Sequence, residues 1–79
     1  MHTDPQKFKI ISEAVTYLVE RSMTEKNIYR IRSPHGSYLI AKDFYGIWVE
    51  LTSSSGAPDI SLNQIGRQIE AYYQRVSLL

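Results

Sequence analysis

The sequence contains no cysteine, so neither a disulfide nor a thiolate metal site can support this chain of 79 residues. Proline and glycine are sparse, at three and four residues, and no apolar run approaches the length that spans a bilayer. Charge of neither sign is in strong excess, because nine basic and eight acidic side chains give a formal charge of +1. Nucleic-acid-binding proteins usually show a strong basic excess, so the composition does not point to that class.

The chain length predicts a single small domain over residues 1–79, with a flexible tail at 1–4 and a flexible loop at 53–59. The first residues lack the basic-then-apolar layout of a secretory signal peptide. Together with the lack of cysteine, this predicts a cytoplasmic protein that makes no membrane contact. Domains of this size often gain stability by association, so we expect a protein partner or self-association as a homodimer.

Two segments have the apolar spacing of an amphipathic helix. Apolar residues recur at intervals of three and four between Phe8 and Leu18, and Pro5 precedes them at a position that favours the first turn of a helix. This pattern predicts a first helix over residues 5–22. A second apolar pattern follows a capping-box sequence and predicts a second helix from about residue 62 to residue 78.

The segment 28–53 between these helices is rich in β-branched and aromatic residues, which predicts strands. Two similar turns interrupt it, Ser33-Pro34-His35-Gly36 and Asp43-Phe44-Tyr45-Gly46. Both have the form of a three-residue hairpin loop that ends in glycine. The predicted strands are 28–33, 37–43 and 47–53.

The predicted fold is α+β with the order α-β-β-β-α, in which two helices pack on one face of a three-stranded antiparallel meander. Three-residue loops place Ser33 opposite Ser37 and Asp43 opposite Ile47. Because strand side chains alternate between the two faces, this register predicts one core face and one uncovered face. The predicted core face holds Tyr29, Ile31, Leu39, Ala41, Val49 and Leu51.

The predicted uncovered face mixes aromatic, apolar and basic side chains. Tryptophan and arginine are enriched where proteins bind one another. We therefore expect a small non-enzymatic adaptor or inhibitor that binds a protein partner through this face. The alternative is an ordinary solvated face whose cross-strand pairs stabilise the sheet. The predicted partner-binding residues are Trp48, Tyr38, Arg30, Arg32, Lys42 and Ile40.

Residues with catalytic chemistry are few and scattered. His35 has no acidic or nucleophilic neighbour in the sequence, and Asp43 is expected to hydrogen-bond within its own turn. His2 and His35 do not have the spacing of metal ligands. The sequence therefore favours binding over catalysis and predicts neither a metal nor a cofactor.

The predicted order α-β-β-β-α and the loop Ser33-Pro34-His35-Gly36-Ser37-Tyr38 resemble the double-stranded-RNA-binding domain, whose Gly-Pro-X-His loop enters a minor groove. This resemblance implies RNA binding through His35, Lys7, Lys9 and Arg67. The same order is similar to that of HicA-type toxins, which implies cleavage of RNA with His35 as acid or base. The sequence departs from the first family at the start of the second helix, where Arg67 is the single cation among the matched positions. It departs from the HicA-type toxins just before His35, because the toxins carry glycine at that place.

Overall fold

A computed structural model describes residues 7–77. In this part of the chain, five strands form one antiparallel sheet in the order β1-β2-β3-β4-β5, and one helix follows. The predicted tail at 1–4 and the end of the predicted second helix lie outside the described residues. The elements are β1 (Lys7–Ser12), β2 (Val15–Arg21), β3 (Ile28–Ser33), β4 (Gly36–Lys42), β5 (Trp48–Ser53) and α1 (Leu62–Ser77).

The predicted α-β-β-β-α fold is wrong, because the segment expected to form the first helix forms β1 and β2. Its buried residues are spaced by two, as Phe8 and Ile10 in β1 and as Tyr17 and Val19 in β2. The helical spacing of its apolar residues was therefore coincidental. Aromatic and β-branched residues dominate this segment, and they pack better on a pleated sheet than in a helix.

The turn between β1 and β2 explains why this hairpin is difficult to recognise. Ser12 pairs with Val15, which leaves Glu13 and Ala14 as a two-residue loop with φ of 51° and 64°. Two left-handed residues in such a loop are typical of a type I′ turn, for which Asn-Gly is the preferred sequence. A Cβ disfavours this conformation, so Glu-Ala is an unusual sequence for such a turn and gives no local indication of a hairpin.

The loop between β4 and β5 has the three-residue form that the sequence predicts. Asp43 N donates to Ile47 O at 2.8 Å, and Asp43 Oδ1 accepts from Tyr45 N and Ile47 N at 2.9 Å each. Gly46 has the left-handed φ of 83° that this loop requires. The predicted role of Asp43 in hydrogen-bonding its own turn is confirmed.

The loop between β3 and β4 is one residue shorter than predicted. Ser33 pairs with Gly36, and not with Ser37. A Cβ at Gly36 would lie 2.6 Å from Ala57 Cβ, so the connection that leads to α1 packs directly on this turn. The register of β4 on β3 thus differs from the prediction by one residue, and such a slip moves every side chain of a strand to the other face.

The core lies between α1 and the face that this register selects. Tyr29 and Ile31 are buried as predicted, but the predicted core residues of β4 and β5 are not buried. Their neighbours along each strand occupy the core instead. The buried hydrophobic residues are Phe8, Ile10, Tyr17, Val19, Tyr29, Ile31, Tyr38, Ile40, Trp48, Ile65 and Ile69.

Helix α1 confirms the second predicted helix, and its closest contact with the sheet is at Gly66. A Cβ at Gly66 would overlap the indole ring of Trp48, so glycine allows the helix to lie directly on this ring. Ile65 and Ile69 are buried beside it. The helix backbone comes closest to the two edge strands, β1 and β5, and side chains from the central strands fill the space between.

One polar group links α1 to β4 and β5. Glu70 Oε2 accepts from Trp48 Nε1 at 3.2 Å and pairs with Lys42 Nζ at 2.7 Å. Lys42 Nζ also lies 6.0 Å from the centre of the Trp48 ring. The hydrogen bond from Lys42, assisted by the one from Trp48, outweighs burial and holds the pKa of the Glu70 carboxyl below its ordinary value.

Ala14→Gly should raise the free energy of unfolding by about 0.5–1 kcal/mol, because removing the Cβ at a left-handed residue outweighs the entropy cost of glycine. Urea denaturation measures this change. In a helix the same substitution would cost about 1 kcal/mol, and the exposed α1 position Ala71 offers that control. A loss of stability for both glycine variants would contradict the turn described here.

Glu70→Gln should destabilise the protein at neutral pH and have less effect in acid. The pKa of Glu70 is lower in the folded state than in the unfolded state, so its stabilisation is present above about pH 4.5. It is lost as the pH falls through the folded-state pKa. Urea denaturation of both proteins at several pH values tests this. Glu20→Gln is the control, because Glu20 forms an exposed ion pair on the other side of the sheet. An equal loss at every pH would show that the carboxylate charge is not what stabilises the helix.

Candidate binding face

One face of the sheet carries no helix within residues 7–77, and we call it the open face. Its side chains alternate with the buried residues along each strand. A bulge in the β4–β5 pairing displaces Leu51 from the regular register. Leu51 lines a cavity together with Leu39, so it belongs to this face. The open face consists of Lys7, Lys9, Ile11, Thr16, Leu18, Glu20, Ile28, Arg30, Arg32, Ser37, Leu39, Ala41, Val49, Leu51 and Thr52.

Seven of the fifteen side chains of the open face are aliphatic. Ile11 is 63 % exposed, Leu51 is 46 % exposed and Leu18 is 40 % exposed. The remaining aliphatic residues, which lie towards β4 and β5, are half-buried among their neighbours. Exposed apolar side chains that are grouped on a small protein often mark an interaction surface.

The charges of the open face are predominantly positive. Lys7, Lys9, Arg30 and Arg32 are its four cations, and Glu20 is its one carboxylate. Glu20 Oε2 lies 3.9 Å from Lys7 Nζ, which is a long and largely exposed ion pair that contributes little to stability. Arg30 and Arg32 lie between two aliphatic groups, Ile11 with Leu18 on β1 and β2 and the aliphatic residues around Leu39 on β3 to β5. The face as a whole has a net positive charge.

Two cavities lie next to each other on the open face. The first, of about 720 Å³, is the basic cavity, and Arg30, Arg32 and His35 contribute its charged and titratable side chains. The second, of about 410 Å³, is called the apolar cavity after its lining residues Ile28, Leu39, Leu51 and Met23 of the β2–β3 loop. Its rim is charged, with Glu20, Arg21, Glu25 and Arg30. Arg30 and Leu39 line both cavities, so one ligand lying across the ridge between them would contact both.

The predicted partner-binding residues do not share one surface. Arg30 and Arg32 lie on the open face, but Trp48, Tyr38 and Ile40 lie in the core and are 8 %, 2 % and 0 % exposed. The expected exposure of these three residues is wrong, because the two-residue β3–β4 turn places their strands in the opposite orientation.

Lys42 lies on the covered side of the sheet, where it pairs with Glu70. Tyr38 also makes a specific contact on the covered side. Its hydroxyl donates to Pro58 O at 2.6 Å, and burial raises the pKa of this phenol, so it stays protonated and available to donate. These contacts give both side chains roles in the fold.

The segment between β5 and α1 is hydrogen-bonded to β4. Ser37 N donates to Ser54 Oγ at 3.0 Å, and Ser54 N donates to Ser37 O at 2.8 Å. With the bond from Tyr38 to Pro58, these contacts hold the connection against the end of the sheet. The predicted flexibility of the loop at 53–59 stays a prediction.

The residues that the RNA-binding resemblance implies are also separated. Lys7 and Lys9 lie on the open face, His35 lies at the β3–β4 turn, and Arg67 lies on the exposed side of α1, across the sheet. The element order on which both RNA-related resemblances depend is not the order of this chain. Among residues 7–77, no group of three or more His, Asp or Glu side chains is arranged to hold a metal ion.

A further exposed apolar group lies at one end of the sheet, away from the open face. Phe44 and Tyr45, at the tip of the β4–β5 loop, are 96 % and 84 % exposed, and their rings form an edge-to-face pair at 5.6 Å. Ile47 follows them and is 57 % exposed. The hydrogen bonds of Asp43 hold this loop in one conformation.

Sequence analysis missed most of the aliphatic residues of the open face. Alternation with a period of two within Lys7–Ser12 and within Val15–Arg21 places Ile11 and Leu18 opposite the buried residues, but a helical period fits the same segment and hides this signal. No comparable signal exists for Leu39 or Leu51, because their orientation depends on a turn length and a bulge that the sequence does not reveal.

Trp48→Ala should lower the free energy of unfolding by about 3–5 kcal/mol, because it empties the site beneath α1. Leu51→Ala should change stability by only about 0.5 kcal/mol, since nearly half of Leu51 is already in water. Thermal and urea denaturation compare the two variants. A Trp48→Ala variant as stable as the wild type would indicate that Trp48 lies on the surface, and it would contradict the described register.

No helix among the described residues is long and apolar enough to cross a membrane. Comparison with protein-family models, with curated proteins and with solved structures gives no match for this chain. The function therefore has to be inferred from the open face and its two cavities.

Proposed function

We propose that this chain is a protein-binding module whose open face recognises a segment of a partner protein that carries both aliphatic and acidic side chains. The observation that supports this proposal is the composition of that face. Two groups of aliphatic side chains lie beside four cations and a single carboxylate. Aliphatic contacts would supply affinity, and the cations would select and orient an acidic partner.

The apolar cavity suits an aliphatic side chain of such a partner. Ile28, Leu39 and Leu51 form its aliphatic lining, and Met23 is a flexible wall that is 78 % exposed. A bound aliphatic side chain would cover Leu51 and Met23 and remove their apolar surface from water. Arg30 at the edge of the cavity would lie beside the acidic residue that follows.

The charge of the open face disfavours a second copy of this chain as the partner. Two open faces packed against each other would bring together eight cations and two carboxylates, twice the charges of one face. Like charges that meet across an interface are costly, whereas an acidic segment would neutralise them. A homodimer through this face is therefore the less favoured form of the proposal.

The lack of aromatic residues on the open face disfavours single-stranded nucleic acid. Proteins that bind single strands stack the bases on aromatic rings. Here the aromatic residues of the five strands, Phe8, Tyr17, Tyr29, Tyr38 and Trp48, all lie in the core. The face instead offers aliphatic side chains, which suit a protein partner.

Two synthetic peptides test the proposal, one with alternating leucine and glutamate and one with alternating leucine and lysine, each flanked by Gly-Ser linkers. NMR titration of the ¹⁵N-labelled protein should show that the acidic peptide shifts amide signals of β3 and β4. The affinity should fall as salt increases, because charge pairs contribute to it. Leu51→Ser should weaken binding about tenfold by removing an aliphatic contact.

Ile47→Ser is the matched control, since Ile47 is also an exposed aliphatic residue but lies on the β4–β5 loop. This variant should bind like the wild type. Equal binding of the two peptides would contradict the proposal. So would concentration-dependent shifts of the open face in the free protein, which would indicate a homodimer. Salt-sensitive binding of duplex RNA to this face in place of the peptide would favour the RNA alternative.

A further inference from the structure

We infer that the basic cavity is a subsite for a phosphate monoester on the bound partner segment. This inference rests on the proposed function and specifies which acidic group the open face selects. It depends on the convergence of Arg30, Arg32 and His35 on one cavity whose lining includes no carboxylate.

The two arginines are placed to bind one anion together. They are two residues apart on β3, so they point to the same side with their Cα atoms about 7 Å apart. Both line the basic cavity and both are exposed. Arginine side chains are long enough to bring two guanidinium groups from this spacing onto the oxygens of one ligand, and their planar donors suit phosphate.

No carboxylate of the protein neutralises this pair within the described residues. Ion pairs there join Lys7 to Glu20 and Lys42 to Glu70, and neither involves Arg30 or Arg32. Glu20 is opposite Arg30 in the β2–β3 register and lines the apolar cavity with it, but its carboxylate pairs with Lys7 on β1 and the basic cavity does not include it. Two uncompensated guanidinium groups in one cavity favour an anion from outside the chain.

The turn that carries His35 is held in place beside the arginines. Ser33 Oγ accepts from His35 N at 3.1 Å and donates to Gly36 O at 3.3 Å. These two bonds fix the backbone of the turn, so the imidazole is presented at the rim of the cavity and not on a loose loop. Its ring would provide a further donor to a bound anion.

A phosphate monoester fits this arrangement better than a carboxylate. It carries a charge between −1.5 and −2 near pH 7 and three acceptor oxygens, which match several donors approaching from different sides. Because Leu39 and Arg30 line both cavities, a phosphorylated residue in the basic cavity would lie next to an aliphatic residue in the apolar cavity. One short segment would therefore occupy both.

The test uses three peptides that differ at one position, which is phosphoserine, serine or glutamate between two leucines. Calorimetry and NMR titration with the full chain should show that the phosphoserine peptide binds at least about tenfold more tightly than the serine peptide. The extra shifts should appear at β3 and at the β3–β4 turn. Arg32→Gln should remove most of this difference, because it takes one of the two guanidinium groups from the basic cavity.

Lys9→Gln is the matched control, because it removes one positive charge from the same face outside the basic cavity. It should preserve the preference for phosphoserine. Binding of the phosphoserine and glutamate peptides with equal affinity, tighter than that of the serine peptide, would overturn the phosphate subsite and leave the proposed function standing. Equal binding of all three peptides, or no binding by any of them, would overturn both. Arg32-dependent binding to vesicles that contain a phosphoinositide, without binding to the phosphopeptide, would overturn the inference in favour of a lipid headgroup.

Discussion

The contact between Gly66 and the ring of Trp48 is the constraint on which the arrangement of this molecule depends. It allows the backbone of α1 to lie directly on the Trp48 ring of β5. With Trp48 beneath the helix, the alternation of side chains along each strand and the pairing between strands decide which residues are covered, apart from the bulge in the β4–β5 pairing. Glu70 strengthens this contact by bonding to both the indole and Lys42.

The composition of the open face follows from that choice. Aromatic residues of the strands fill the space under the helix, since their large rings bridge the distance between the sheet and α1. Smaller aliphatic residues and cations remain on the other side. A surface of that composition can bury apolar area and select negative charge, and it lacks the rings on which nucleic-acid bases stack. The same packing that stabilises the fold thus determines the type of partner the open face suits.

Several elements were predictable because their signals are local. The C-terminal helix has one strong apolar stripe, β3 has the predicted bounds, and the β4–β5 loop has the expected Asp43 contacts and left-handed Gly46. The first hairpin was not predictable in the same way. Its apolar residues fit both a period of two and a helical period, and its turn at Glu13 and Ala14 lacks glycine.

The sequence by itself determined the apolar and basic content of strands β3 to β5 and the position of α1. Only the tertiary structure decided which side of each strand is buried. Ser33-Pro34-His35-Gly36 can close with two or three residues, and the close approach of Ala57 to Gly36 accompanies the shorter form. Because of that difference of one residue, Tyr38, Ile40 and Trp48 lie in the core, and aliphatic residues take their places on the open face. Such a choice depends on contacts between residues distant in sequence, which no local pattern encodes.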